Sequence, residues 1–268
     1  MTNDKKAFGI ILFGHTREKH LNAILESLKL QGELGCVEIW LDGHQGNPVL
    51  KAKCEKVARM VDNYDVEQVI AHNGHLNFRK LIIQSLESSI DKYRNILVLE
   101  DDCFPTRNAV SIFRTQLESI ENKPEIFSVY GHHFLVDAEK ENIGRFQGWG
   151  WGTNTNKLTT ILPQLKACYL MQEARYLEYV EKNLTPEVID AIDCTKGREA
   201  TKTLRKFFAW DETLALLTAV KGMRHEKTRD RTIYNFGAGK EAGHFKNINW
   251  YRKPPFNMIS IDEVWNYF

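Results

Sequence analysis

Three consecutive carboxylates, Glu100, Asp101 and Asp102, end an apolar run in the stretch NILVLEDDCFP, residues 95–105. Like charges at that spacing repel unless something positive lies among them. Carboxylate oxygens are hard ligands suited to Mg2+ or Mn2+, and an ion held by them can in turn hold a diphosphate. The bland alternative is a solvated acidic turn that caps a helix starting near Asn108. Other chemistries lack their signatures. There is no GxxxxGKS/T phosphate loop, no GxGxxG after the first apolar run, no HExxH and no GxSxG, so P-loop, dinucleotide, zincin and serine-elbow readings lose their main support.

The elements around the triplet alternate. FGIILF (8–13) reads as a buried strand, and REKHLNAILESLKL (17–30) carries apolar residues at helical spacing behind a Thr16 cap. CVEIWLD (36–42) reads as a strand ending in Asp42, NPVLKAKCEKVARMV (47–61) as a helix and VEQVIAH (66–72) as a short strand. FRKLIIQSLESSI (78–90) is a helix leading into the strand NILVLE. This alternation predicts an α/β fold with a mostly parallel sheet covered by helices. Ligands in such sheets sit at the C-terminal ends of strands, where the triplet lies.

Composition narrows the class. The 268 residues are 43% hydrophobic, enough for a large core, and 36 Lys and Arg against 35 Asp and Glu leave a net charge of +1. That balance gives no reason to expect a nucleic-acid partner. Five cysteines, at 36, 54, 103, 168 and 194, are odd in number and form no CxxC pair, which predicts reduced thiols and a cytoplasmic address. The opening MTNDKKAFGIILFG has a charged start but an apolar run too short for the core of a secretory signal, and no later segment has the length of a membrane span.

Read together, the motifs resemble the GT-A-fold glycosyltransferases, most closely the N-acetylglucosaminyltransferase I family, which transfers a sugar from UDP-GlcNAc with inversion. FGHTREKHLNAILESL is similar to that family's opening, where an arginine after the first strand contacts the nucleotide, which implies that role for Arg17. WLDG matches the end of its second strand and implies that Asp42 reads the base. NFRKLIIQSL resembles the helix before the metal strand and implies donor contacts for Asn77 and Arg79, although the family's histidine is replaced by Asn77 here. VLEDD matches its version of the DxD motif, which implies that Asp102 ligates the metal while Glu100 and Asp101 support the nucleotide sugar.

In the second half, GWGWGTN (148–154) looks like the segment bordering the sugar pocket, with Trp151 as an aromatic wall. FAWDETL (208–214) looks like the stretch supplying the catalytic base, which implies Asp211 as the base and Glu212 as its understudy. RDRTIYNFGAGKEAGHF (229–245) is similar to a loop that closes over the donor, with Arg231 and His244 as contacts. The resemblance thus implies a single GT-A, Rossmann-like domain over 1–268. Residues 1–125 would form the nucleotide-sugar-binding half and 126–268 the acceptor-binding and catalytic half, with helices over 157–206 on the acceptor side.

The implied reaction is metal-dependent, inverting transfer of a sugar, GlcNAc being one candidate, from a UDP-sugar. The cofactor would be Mn2+ or Mg2+, and the acceptor a hydroxyl of a glycan or glycolipid, with peripheral membrane contact as a corollary. Taken singly, the pieces have plainer readings: Arg17 as a helix start, Asp42 as part of an Asp-Gly turn, the tryptophans as core. Two rival functions share some features. A sugar-phosphate nucleotidyltransferase would carry a glycine-rich basic loop after the first strand, where this chain has FGHTREKHL. A non-catalytic sugar-binding module would dispense with the metal carboxylates.

Overall fold

The computed structural model describes residues 5–134, 139–193, 209–239 and 245–268. The first apolar run forms β1 (Lys6–Gly14), buried from Phe8 onward, as a strand covered on both faces must be. Helix α1 (Glu18–Leu30) follows, then β2 (Val37–Leu41), α2 (Pro48–Val61), β3 (Gln68–Ala71), α3 (Phe78–Lys92) and β4 (Tyr93–Leu99). Asn47 caps α2 by accepting from the Val49 and Leu50 amides, with Pro48 in the first turn where its missing N–H costs nothing. Thr16 does not cap α1: Arg17 holds the cap position and no side-chain cap bond forms.

After β4 come β5 (Cys103–Pro105), α4 (Ala109–Ser119), β6 (Ile126–Tyr130), the two-residue β7 (Asn142–Ile143) and β8 (Trp151–Asn154). The stretch from residue 157 onward is helical as expected, with α5 (Thr155–Leu170), α6 (Glu173–Asn183) and α7 (Pro186–Asp193), up to the edge of the described residues. Helix α8 (Trp210–Val220), β9 (Arg224–Lys227), β10 (Ile233–Asn235) and the short α9 (Ile248–Tyr251) complete the chain, before a closing 3-10 helix at Ile261–Tyr267.

Eight strands form one sheet in the order β3-β2-β1-β4-β8-β6-β9-β7. Pairings β3/β2, β2/β1, β1/β4 and β6/β9 are parallel, while β8 runs against both β4 and β6, and β7 against β9. The architecture is therefore α/β, with a mostly parallel sheet flanked by helices. One hydrophobic cluster packs α1, α2 and α4 on one face of the sheet. The other packs α3, α5, α6, α7 and α8 on the opposite face.

From β1 the chain winds outward to β2 and β3, then crosses back through α3 to β4 on the other side of β1. Strand order reverses at β1/β4, so their C-terminal ends splay apart into a crevice. Among the described residues no helix is long and apolar enough to cross a membrane. Cys36, Cys54, Cys103 and Cys168 are free thiols, and Cys194 lies outside the described residues.

Candidate active site

The crevice at the β1/β4 switch is a cleft of about 630 Å3. Its floor comes from the two strand ends: Gly14 to Arg17 after β1, and Glu100 to Asp102 after β4. A tight turn, with the Cys103 amide donating to the Glu100 carbonyl at 2.9 Å, bends the chain so that the carboxylates line the opening. Beyond the turn, β5 pairs antiparallel with β10, and the Phe236 amide donates to the Asp102 carbonyl at 2.9 Å. Gly237 then lies so close that a Cβ there would come within 2.5 Å of Asp102 Oδ2, so only glycine admits the carboxylate in this position.

Asp101 and Asp102 are buried. The solvated acidic turn is thereby excluded, and Asn108, not the triplet, holds the cap position of α4. The positive group among the carboxylates is Arg17. Its guanidinium forms an ion pair with Asp101 Oδ1 and donates to Asp102 Oδ2 at 3.1 Å. Burial alone would lower the arginine's pKa, but the two carboxylates outweigh it and raise it.

Glu100 is left with a pKa well above the ordinary glutamate value. Withdrawal from solvent is the main cause, followed by the charges of Asp102, Asp211 and Asp101. Burial likewise raises Asp101, with Arg17 pulling the other way. Asp211 lines the same cleft, near enough for its charge to be felt at Glu100. It sits in the first turn of α8, where the backbone N–H groups favour a carboxylate.

The sequence-derived residues divide between this cleft and other places. Arg17, Asp42, Glu100, Asp101, Asp102 and Asp211 all line it. Asp42 lies just past β2 with its carboxylate already engaged. Oδ1 accepts from the Gly43 amide at 2.9 Å and the Leu76 amide at 2.8 Å, and Oδ2 pairs with His75 Nδ1 at 2.8 Å. Asn77 caps α3 by accepting from the Arg79 amide at 3.1 Å, from a left-handed backbone at φ 76°, and does not line the cleft. Arg79 opens into a separate pocket behind it.

Trp151 is fully buried in β8, packed with Phe127, Phe146 and Trp210, and presents no wall to the cleft. Strand alternation would put residues 149 and 151 on one face, but Trp149 precedes β8, across Gly150 in left-handed backbone at φ 69°, and it lines the cleft instead. Glu212 is buried against Arg145, whose guanidinium forms an ion pair with it and also donates to the Ile192 carbonyl at 2.9 Å. Arg231 stacks on Tyr234 at 4.0 Å and donates to the Asn257 carbonyl at 2.8 Å, outside the cleft lining. Burial lowers its pKa to about 10. His244, and Lys240 before it, lie outside the described residues.

Sequence reasoning missed His15, His75, Phe78 and Phe245, which all line the cleft. The rings of His15 and His75 lie 6.1 Å apart, and His15 Nε2 is 3.1 Å from the Gly43 carbonyl. Phe245 packs edge-on against Trp149 at 5.6 Å. No motif flagged these side chains. They come from the loops after β1 and β3, the start of α3 and the stretch before α9, and only the topology gathers them.

No protein-family model matches the chain, and no curated protein matches it in sequence. Solved structures do resemble it. The mannosyltransferase PcManGT from Pyrobaculum calidifontis, in complex with GDP-Man and Mn2+, aligns over 82% of this chain and 75% of that chain at 8% identity and a TM-score of 0.43. The galactosyltransferase LgtC, with donor and acceptor sugar analogs, aligns over 94% of this chain and 84% of that chain at 10% identity and 0.44. A 4-diphosphocytidyl-2C-methyl-D-erythritol synthase from Anaerococcus prevotii aligns over 66% and 85% at 9% identity and 0.43. At such identities and scores these likenesses assign no role to any residue here. The narrower likeness to the N-acetylglucosaminyltransferase I family stands on the sequence motifs alone.

Proposed function

We propose that this protein is a GT-A-type glycosyltransferase that moves a sugar from a nucleotide-diphosphate donor, a UDP-sugar, to an acceptor hydroxyl with inversion. The observation that supports the reading is that two acidic centres line one cleft, the carboxylates after β4 with Arg17 paired to Asp101 and Asp102, and Asp211 in the first turn of α8. Two separated acidic centres are what the chemistry needs. One serves the departing diphosphate, and the other takes the acceptor's proton on the far face of the sugar.

Asp102 would hold the divalent ion, Mn2+ or Mg2+. Among the described residues no group of three or more His, Cys, Asp or Glu side chains is arranged to hold a metal. The carboxylates of Asp101 and Asp102 at the cleft suit a magnesium-like site, in which one or two carboxylates share the ion with substrate phosphates. When bound, the ion neutralises charge on the leaving diphosphate. Arg17 positions Asp101 and Asp102 and adds positive charge beside the phosphates. Asp42 orients His75 towards the nucleotide, and Trp149 with Phe245 offers aromatic faces to the sugar. Gly237, just after β10, borders the same opening. UDP-GlcNAc is the donor to try first, and a glycan or glycolipid the acceptor.

The test is a calorimetric panel of nucleotide sugars, with and without Mn2+, on the wild type and Asp102→Ala. Binding of one UDP-sugar that requires both Mn2+ and Asp102 is expected. Binding indifferent to both, or pyrophosphate release from a nucleoside triphosphate and a sugar phosphate, would overturn the reading.

A further inference from the structure

A second pocket, of about 210 Å3, opens between α3, α5, α6 and α8. Ile83, Leu165, Tyr176 and Trp210 give it an apolar and aromatic lining, and Arg79 enters at its side. The Arg79 guanidinium makes no hydrogen bond or ion pair with any described residue. The opposing charge at the rim is Glu173, exposed in the first turn of α6 and not paired with Arg79. Trp210 lines this pocket and the catalytic cleft alike. Phe78, next to Arg79 in sequence, lines the cleft and meets Trp210 edge-on at 6.3 Å. One indole therefore separates the two spaces, and the next residue, Asp211, belongs to the cleft.

We propose that this pocket is an acceptor subsite for an anionic group, a carboxylate or a phosphate ester, attached to an aromatic ring or short apolar chain. The acceptor hydroxyl would then reach Asp211 past Trp210. The inference rests on the glycosyl-transfer reading above. A guanidinium beside an apolar floor is poorly hydrated and matches an oxyanion bidentately, which selects anions over neutral ligands. The rings of Tyr176 and Trp210 supply the apolar contact that fixes the attached moiety. The volume admits a single ring and its substituent but not a sugar nucleotide, so donor and acceptor are kept apart.

The probes are 4-ethylbenzoate and phenyl phosphate, which separate carboxylate from phosphate, and benzylamine as the cationic counterpart. Binding is followed by calorimetry and ligand-observed NMR on the wild type, Arg79→Met and Arg79→Lys. One of the two anions is expected to bind, to weaken roughly tenfold or more in Arg79→Met as a charge-assisted bond is lost, and to recover in part in Arg79→Lys. It should still bind when the cleft is saturated with UDP and Mn2+, and Arg79→Met should keep wild-type donor affinity. Four results would overturn the proposal: neither anion binding the wild type, equal affinity in Arg79→Met, displacement by UDP, or preference for benzylamine, which would assign the pocket to Glu173. Because probe binding is read without turnover, a protein that binds the anion but no nucleotide sugar would refute the glycosyl-transfer reading separately.

Discussion

Asp211 and Glu212 are neighbours with opposite fates, and the difference is what each side chain meets. Glu212 is neutralised in the core by Arg145, whereas Asp211 is half-buried at the cleft and felt by Glu100. Asp211→Asn keeps the side chain's shape and its polar character, so stability and donor affinity should hold while transfer falls roughly 10²-fold or more, the usual worth of general-base assistance. Near-normal turnover on the same preparation would remove Asp211 from the chemistry. A second residue-scale expectation concerns Asp42, whose oxygens already accept from two amides and engage His75. Asp42→Asn and His75→Ala should each weaken nucleotide binding, and the double variant should do little more than either, since one acts through the other. Fully additive losses in a calorimetric cycle would show that Asp42 reads the nucleotide itself.

At the scale of elements, β6, β9 and α8 are joined through one buried imidazole. His225 Nδ1 lies 2.7 Å from Ser128 Oγ on β6, and Nε2 lies 3.2 Å from Thr218 Oγ1 on α8. Burial, reinforced by the charge of Arg224, lowers its pKa from 6.5 to about 3. Between those values the unfolded chain binds a proton that the folded chain refuses. The stabilisation is therefore complete above pH 6.5 and is lost as pH falls towards 3. Unfolding free energies from denaturant titration should drop as the solution is acidified from pH 6.5, by at most ~1.4 kcal/mol per pH unit from this group, and His225→Gln should flatten that slope. Equal slopes in the two proteins would mean that another group governs acid unfolding.

At the scale of the whole molecule, the cleft depends on parts distant in sequence being locked to one sheet. Arg145, from the connection between β7 and β8, ties the end of α7 at Ile192 to the start of α8 at Glu212. Both ion-pair partners are nearly excluded from water. Arg145→Met alone takes the ion-pair partner from a buried carboxylate and should cost about 3–5 kcal/mol, whereas Arg145→Met with Glu212→Leu should recover most of that. Chemical denaturation of the three variants checks this, and a double variant as unstable as the single would locate the cost in lost packing. The same comparison shows what the pair does for Asp211: transfer lost in a stable double variant would make the ion pair a positioning device.

The sequence by itself determined the alternation of strands and helices and the placement of the triplet at a strand end. These are local matters: apolar period and run length, and the forced proximity of chain neighbours. It also carried the order of Arg17, Asp42, Asp102 and Asp211, which the structure brings to one cleft. Only the tertiary structure decided which aromatic faces that cleft, because Trp149 and Trp151 are equivalent on paper until β8 pairs with β4 and β6 and turns Trp151 inward. It also decided that Arg17 is the positive charge among the carboxylates, that Glu212 is paired away and that Arg79 serves another pocket. The ion pairs among these join residues far apart in the chain, Arg145 with Glu212 at 67 positions and Arg17 with Asp101 at 84. Burial and charge pairing at that range are set by how the sheet closes and its helices pack, and no local pattern encodes them.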